Sequence, residues 1–300
     1  MIEPPLAWTL SRRRFLASAP LLLACTAPGS KVLRVIHQGG ESAGDIRNNY
    51  YWKLLDHVLA RTQSRWGPYE LSAAPLLMNG PRSFYEMQRG TLNILARSTG
   101  QDLERSLLPI RIPLDKGLLG YRVFLIRREM QAKLDQVKTL DDLRRFTIGQ
   151  TAAWNDVPIL QAAGFRIVYG ISYEGLFGML EGARFDLFSR SVAEAVLELE
   201  AHQAHYPDLV IERNLLLYYP LPRYLFVRRD ACGEQLASRL IDGFEAMLKD
   251  GSFDRLFNEY SEPIERAIHM KSRRLFRIPN PTLSPETPLG RTELWYDPTR

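Results

Sequence analysis

Short apolar runs that alternate with segments of helical periodicity constrain the fold of this chain more than any other feature. Each run is four or five residues long, which suits a buried strand. Elsewhere apolar residues recur at spacings of three and four, as Leu236, Leu240 and Phe244 do before Gly251. This alternation predicts an α/β fold with mostly parallel sheets. The predicted strands are residues 32–36, 92–96, 123–126, 146–149, 165–168, 185–189, 209–212 and 224–228.

Residues 1–24 have the composition of an export signal. Residues 12–14 are arginines, and the stretch that follows them to residue 24 is mostly apolar or small. The paired arginines ahead of a Phe-Leu pair resemble the twin-arginine export motif, with a plain secretory signal as the alternative. Residues 22–25, Leu-Leu-Ala-Cys, resemble a bacterial lipobox, which implies that Cys25 becomes a lipid-modified N-terminus. Residues 25–30 would then form a short tether to a membrane surface. The alternative is a plain secretory signal in which Cys25 occurs by chance.

Composition and missing motifs exclude several other function classes. The formal net charge is +5, and the export signal contributes two of these charges, so no basic surface for nucleic acid is predicted. Two cysteines exclude a multi-disulfide framework, and no apolar run is long enough to span a membrane. The motifs of zinc proteases, redox dithiols, P-loops and dinucleotide-binding loops are absent, so no enzymatic activity, cofactor or metal is predicted. His202 and His205, near Glu198, have a spacing that metal ligands use, but their polar surroundings are more typical of a solvated helix.

Six segments, in their order along the chain, resemble the family 3 solute-binding proteins, which are the amino-acid type of periplasmic receptor. The matches are residues 90–96 with the strand before the ligand loop, 116–126 with the strand that crosses between the lobes, 140–150 with the start of the second lobe, 175–186 with a helix and strand of that lobe, 224–228 with the return strand and 250–253 with the end of the last helix.

This resemblance implies a type II periplasmic-binding-protein fold. Two α/β lobes, each a mixed sheet flanked by helices, are joined by two crossing strands, and the ligand lies in the central cleft. Lobe 1 is expected from residues 31–125 and 225–300, and lobe 2 from residues 126–224. The tail at residues 271–300 is rich in proline but ends in apolar residues, so we expect it to pack on lobe 1 as an extended strap.

The loops after the predicted strands supply the candidate ligand contacts. In lobe 1, the resemblance implies hydroxyl groups from Ser98 and Thr99 and an arginine that holds the ligand carboxylate, for which Arg97 and Arg105 compete. In lobe 2, three residues follow strands or begin helices and are candidates to line the cleft, although aromatic residues there are equally typical of a core. These residues are Thr151, Trp154 and Tyr173.

Arg190 is the most informative candidate. Amino-acid receptors of this family commonly place an aspartate in this neighbourhood to hold the ligand ammonium, whereas this chain has an arginine and no acid before Glu194. A guanidinium would repel an ammonium, so Arg190 favours an anionic solute such as a carboxylate or a phosphate. The alternative is that Arg190 and Glu194 lie on one helix and pair at a spacing of four residues.

Three functions remain open from the sequence. The first is a periplasmic receptor, anchored by its lipid, that captures a small polar or anionic solute, such as an amino acid or a carboxylate, for an ABC permease or a sensor. The second is an envelope accessory or sensory protein that uses the same fold without transport. The third is an envelope enzyme on the same scaffold, because a fold does not fix a function.

Overall fold

The computed structural model describes residues 32–40, 48–152 and 154–299 of the 300-residue chain. The predicted export signal, the lipid attachment at Cys25 and the tether lie outside these residues. Within them, no helix combines the length and the apolar character that a membrane span needs.

The strands are β1 (Leu33–His37), β2 (Tyr69–Ala73), β3 (Ile94–Ser98), β4 (Leu108–Ile110), β5 (Tyr121–Arg127), β6 (Thr147–Thr151), β7 (Arg166–Gly170), β8 (Leu187–Ser191), β9 (Leu209–Ile211), β10 (Leu215–Tyr218), β11 (Arg223–Val227) and β12 (Arg274–Arg277). The α-helices are α1 (Asn49–Arg61), α2 (Gln63–Trp66), α3 (Gly80–Arg89), α4 (Gln101–Ser106), α5 (Gln131–Leu134), α6 (Leu140–Arg144), α7 (Asp156–Ala162), α8 (Tyr173–Glu181), α9 (Val192–His202), α10 (Ala231–Lys249) and α11 (Ser252–Ile268).

Lobe 1 is the body around a five-stranded sheet in the order β2-β1-β3-β11-β4. Strand β1 runs parallel to β2 and β3, and β11 runs antiparallel to β3 and β4. Helix α1 covers the sheet with one apolar face, because Tyr51, Leu55 and Val58 recur at spacings of three and four and are buried. Helix α10 packs against α1 and adds Leu240 and Phe244 to the same core, as the helical periodicity predicts.

Lobe 2 is the body around a second sheet, with the order β12-β10-β5-β8-β6-β7 and with β9 also paired to β5. Strand β6 runs parallel to β7 and β8, whereas β5 runs antiparallel to β8, β9 and β10. The chain passes between the two sheets after β4, after β10 and again after α11. Both lobes are mixed α/β bodies, which confirms the predicted fold class.

The two faces of the lobe 2 sheet carry different groups. Ile148 and Leu187 belong to one apolar cluster, and Phe188 belongs to another. Successive residues of a strand point to opposite faces, so Ser189 lies with Leu187 and Arg190 lies with Phe188. This alternation decides which polar side chains meet at the end of β8.

Each of the eight predicted strands is present, with ends within two residues of those predicted. The division between the lobes differs from the predicted boundaries, because β5 lies wholly in the second sheet although residues 121–125 were expected in lobe 1. Strand β12 lies in the tail that was expected on lobe 1, yet it pairs with β10 in lobe 2. The reason is apolar packing, since Phe276 joins the lobe 2 core. Farther along the tail, Leu294 is fully buried in the lobe 1 core.

Candidate functional site

The two lobes touch where β3 of lobe 1 ends and where α7 of lobe 2 begins. Asn155 Nδ2 donates to Ser98 Oγ at 3.1 Å and lies 3.4 Å from the carbonyl oxygen of Thr99. Ser98 is the last residue of β3, and Asn155 lies between β6 and α7. In α/β proteins, ligands bind beyond the carboxyl ends of the strands, which is where this contact lies. The contact therefore marks a cleft whose two sides meet directly.

Three neighbouring strands of lobe 2 bring polar side chains to one face of the sheet beside this cleft. Strand β8 lies between β5 and β6, and Arg122 of β5 is the partner of Ser191 in β8. On the other side of β8, Gln150 Nε2 lies 3.4 Å from the carbonyl oxygen of Ser189. All four side chains are at most 3% exposed. We call Arg122, Gln150, Ser189 and Ser191 the polar face.

The polar face is incompletely hydrogen-bonded within the described part of the chain. Gln150 Oε1, Ser189 Oγ and Arg122 Nε are buried there without a hydrogen-bond partner. Arg122 is otherwise well held, because its Nη2 lies 2.5 Å from Asp156 Oδ1 and its guanidinium lies 5.3 Å from the Tyr219 ring. An unpaired buried polar group costs about 1–3 kcal/mol, so such groups in native proteins are normally satisfied by water or by a ligand.

Arg190 lies on the opposite face of β8 and is neutralised within lobe 2. Its Nε lies 2.6 Å from Glu198 Oε2, and its Nη2 lies 3.1 Å from Glu194 Oε2. Burial acts to lower the pKa of Arg190, but the two carboxylates raise it above its ordinary value, so the side chain stays charged. The predicted alternative is right about the partner, Glu194, but wrong about the element, because Arg190 lies in β8 and not on a helix with Glu194.

Lobe 1 contributes a partly buried arginine to the cleft. Arg223 begins β11, donates from Nη1 to Asn48 Oδ1 at 2.9 Å and lies over the Tyr51 ring at 4.8 Å. Its Nε is buried without a hydrogen-bond partner among the described residues. The Tyr51 hydroxyl donates to Asp115 Oδ2 at 3.3 Å, and burial raises the pKa of both groups.

Glu194, in the first turn of α9, links the charges of the two lobes. Burial lowers the pKa of Arg122 and of Arg223, but for both groups nearby acids that include Glu194 reverse the direction and raise it. The carboxylate of Glu194 therefore acts on arginines of both lobes. The guanidinium groups of Arg122, Arg190 and Arg223 are balanced by nearby carboxylates, so the cleft is not strongly positive. These carboxylates belong to Asp115, Asp156, Glu194 and Glu198.

Comparison with known proteins gives a fold but no close relative. No family model and no curated protein matches the chain. Among solved structures, the VFT2 domain of Bordetella pertussis BvgS is 16% identical with a TM-score of 0.55, over 77% of this chain and 93% of that domain. The probable amino-acid ABC transporter extracellular-binding protein ytmK of Bacillus subtilis is 12% identical with a TM-score of 0.53, over 76% and 97% of the two chains. An ancestral arginine-binding protein is 14% identical with a TM-score of 0.51, over 77% and 98%.

This chain has the type II periplasmic-binding fold. The two sheets flanked by helices match these neighbours, whereas the low identity leaves the ligand open. In the periplasmic-binding fold of this chain, the contact between Asn155 and Ser98 and the polar face lie on the interlobe cleft, where the resemblance places a ligand.

Two of the four residues predicted as lobe 1 ligand contacts lie at the contact between the lobes. Ser98 receives the hydrogen bond from Asn155 through its hydroxyl. Thr99 meets Asn155 through its backbone carbonyl oxygen instead, because its own hydroxyl is buried and donates to Glu104. Thr99 is therefore held by lobe 1 rather than presented to the cleft.

The two arginines predicted to hold a ligand carboxylate have other surroundings. Arg97 lies in β3 with its Nη1 at 3.5 Å from Ser83 Oγ. Arg105 is mostly exposed on α4 and pairs with Asp102, three residues earlier in the same helix. Among the described residues, neither guanidinium contacts the polar face.

The predicted residues of lobe 2 meet one another around Arg190. Trp154 stacks on Phe188 with ring centroids 6.1 Å apart, and the guanidinium of Arg190 lies 4.7 Å from the Trp154 ring. Tyr173 lies 5.5 Å from the same guanidinium. Thr151 ends β6, one residue beyond Gln150. The expectation that Arg190 holds an anionic solute does not fit this arrangement, because its donors already face Glu194 and Glu198.

Sequence reasoning missed most of the polar face and the acid that binds Arg190. Gln150 follows one mostly apolar run and Ser189 ends another, and this change of polarity is the signal that was available. Glu198 was interpreted as part of a solvated helix, yet its side chain is about nine-tenths buried against Arg190. His202 stacks on Phe177 at 3.7 Å, and among the described residues no group of acidic, histidine or cysteine side chains could hold a metal.

Proposed function

We propose that this chain is an exported solute-binding protein that captures a small polar solute in the cleft between its lobes. One observation carries the proposal: Gln150 Oε1, Ser189 Oγ and Arg122 Nε are buried beside the cleft without hydrogen-bond partners in the described part of the chain. The fold supports it, because ligand sites are concave, lie preferentially between domains and contain a few precisely placed polar groups.

The polar face favours a solute that carries both a donor and an acceptor. Gln150 Oε1 accepts, the Nε–H group of Arg122 donates and the Ser189 hydroxyl does either. Across the cleft, the Nε–H group of Arg223 is a further unpartnered donor. Amino acids and other small zwitterions meet this demand, and one structural neighbour is an arginine-binding protein. We therefore rank zwitterions ahead of the anionic solutes that the sequence favoured.

We also propose that the chain works in the periplasm, held to a membrane by a lipid on Cys25. The support is the sequence of residues 1–25, with its arginines, its apolar stretch and its lipobox-like end. A tethered receptor of this kind would deliver its solute to an ABC permease or present it to a sensor protein.

A second candidate is an envelope accessory or sensory protein that uses the fold without transport. The position of Arg190 favours this second candidate. Its side chain packs against Trp154 and Tyr173, the aromatic residues of lobe 2 that the sequence analysis assigned to a ligand. The likeness to the VFT2 domain of BvgS is compatible with this reading.

Thermal unfolding of the purified chain without its export signal tests the proposal against a panel of amino acids, dicarboxylates, phosphorylated solutes and peptides. A ligand that binds only the native state stabilises it by about 2.7 kcal/mol at one hundred times Kd. We expect one class of zwitterionic solute to raise Tm. A cooperative transition that no solute moves would contradict solute binding and favour the second candidate.

A further inference from the structure

Arg190 sits among groups that together recognise a guanidinium. Its Nε lies 2.6 Å from one oxygen of Glu198, and its Nη2 donates to the other oxygen of the same carboxylate. Nη2 also donates to Glu194 at 3.1 Å. The forked contact with Glu198 matches the planar geometry of a guanidinium, whereas an ammonium group cannot reproduce it.

Three aromatic rings complete these surroundings. The Arg190 Cζ atom lies 4.7 Å from the Trp154 ring, 5.3 Å from the Phe188 ring and 5.5 Å from the Tyr173 ring. All three distances fall within the range of about 6 Å over which an aromatic face attracts a cation. The rings come from the segment after β6, from β8 and from the first residue of α8, so separate elements converge on one cation.

Two carboxylates face this single guanidinium. The side chains of Glu194 and Glu198 are only 21% and 10% exposed. Without Arg190 the carboxylate of Glu198 would be largely buried without its forked partner, and Glu194 would lose one of the cations that it faces, which is strongly unfavourable. The site therefore retains its attraction for a cation when the side chain that fills it is removed.

We propose that lobe 2 contains a guanidinium-binding site that the chain fills with its own Arg190, and that free alkylguanidinium compounds bind there when Arg190 is truncated. In the native protein the position is taken, so a solute that enters the cleft finds no place for a guanidinium group in lobe 2. Arg190 is then a specificity-determining residue that excludes such solutes. The guanidinium site itself goes beyond the proposed function and stands without it, because the chain fills the site with its own side chain; the exclusion of guanidinium solutes from the cleft rests on that function.

Two truncations and matched small cations test the site. Arg190→Ala removes the atoms that ethylguanidinium supplies, and Arg190→Leu keeps an aliphatic stem and leaves room for the bare guanidinium ion. Thermal unfolding is measured at low millimolar concentrations of each compound, with equal ethylammonium chloride as the control for ionic strength. We expect both variants to unfold at lower temperature than the wild type, and the matched compound to raise Tm by about 3 °C or more in the variants only.

The double variant Arg190→Ala/Glu198→Ala is the matched control, because it removes the forked carboxylate and should lose the response. No rise in Tm in either single variant would overturn the proposal, and so would an equal rise in the double variant or the wild type. If a single variant does not fold unaided, the yield of folded protein on dilution from urea is compared with and without the matched compound. An unchanged yield then overturns the proposal. None of these readouts requires a solute in the cleft, so they fail independently of the proposed function.

Discussion

Asn155 of lobe 2 donates a hydrogen bond to the hydroxyl of Ser98 in lobe 1 across 3.1 Å. The same amide lies 3.4 Å from the backbone carbonyl oxygen of Thr99, so one side chain reaches two acceptors of the other lobe. Hinge closure around a ligand is the usual motion of two-lobed binding proteins. These bonds are therefore made only when the cleft is closed, and their loss should favour the open arrangement.

Asn155→Ala removes both bonds without touching the polar face. A typical hydrogen bond contributes about 0.5–1.5 kcal/mol net. We therefore expect more molecules with the lobes apart and a solute affinity lower by up to about tenfold. Small-angle scattering should report a larger radius of gyration than for the wild type, and titration with the solute should report the weaker binding. Arg105→Ala changes an exposed residue of lobe 1 and serves as the control. Unchanged scattering and affinity in Asn155→Ala would show that this contact does not hold the lobes together.

Asp156 compensates a charge that is almost fully buried. Arg122 is 3% exposed and lies 2.5 Å from Asp156 Oδ1, and Tyr219 also donates to this carboxylate. Removing one partner of a buried ion pair costs about 3–5 kcal/mol, because the other charge is left uncompensated. We therefore expect Asp156→Ala to lower the urea midpoint strongly, and the double variant Arg122→Met/Asp156→Leu to recover much of the loss. A double variant no more stable than the single one would refute this explanation.

His37 should make the stability of lobe 1 depend on pH. Its ring stacks on Trp52 at 4.1 Å, and burial lowers the pKa of His37 below its ordinary value of 6.5. Above pH 6.5 the His37 ring is neutral in both the folded and the unfolded chain, so it contributes nothing to the pH dependence of stability. As pH falls below that value, the unfolded chain takes up a proton first, and stability is lost until the folded-state pKa is passed. His37→Gln should lose less stability than the wild type between neutral and acidic pH in urea titrations. His57→Gln, at an exposed position of α1, should follow the wild type.

The lipid anchor at Cys25 can be tested directly, because acylation changes the mass of the N-terminal peptide. Residues 22–25 resemble a lipobox, which implies that processing makes Cys25 the first residue and that its sulfur carries a lipid. We predict that the protein extracted from membranes has an N-terminal peptide with the mass of an acylated cysteine. An unacylated Cys25 peptide from the membrane fraction would contradict the anchor.

A strand could be predicted where its own residues are mostly apolar. It could not be predicted where it forms only by pairing with a strand that is distant along the chain. The eight predicted strands are runs of apolar residues whose burial needs no knowledge of their partners. Strand β12 has only Leu275 and Phe276 between two arginines and lies in a proline-rich tail, so nothing local distinguishes it from a loop. It is a strand because β10, more than fifty residues earlier, offers it an edge.

The site shows the same limit. A separation of four residues made Glu194 predictable as an alternative partner of Arg190, although the pair joins β8 to α9 instead of lying on one helix. Glu198 reaches the same guanidinium only because α9 folds back over β8, which the spacing along the chain does not reveal. Gln150 and Arg122 belong to one site because β6 and β5 flank β8, and strand order is a property of the whole sheet.

The most direct test of solute binding at the polar face is the affinity of a Gln150→Leu variant. Leucine has a similar volume and removes an acceptor that has no partner among the described residues, so the solute-free protein should keep or gain stability. Titration calorimetry with the solute that gives the largest thermal shift would compare the wild type, Gln150→Leu and the control Arg105→Ala. We predict an affinity lower by about tenfold or more in Gln150→Leu alone, the effect of losing roughly one buried hydrogen bond. Equal affinity in all three proteins would contradict a solute site at the polar face.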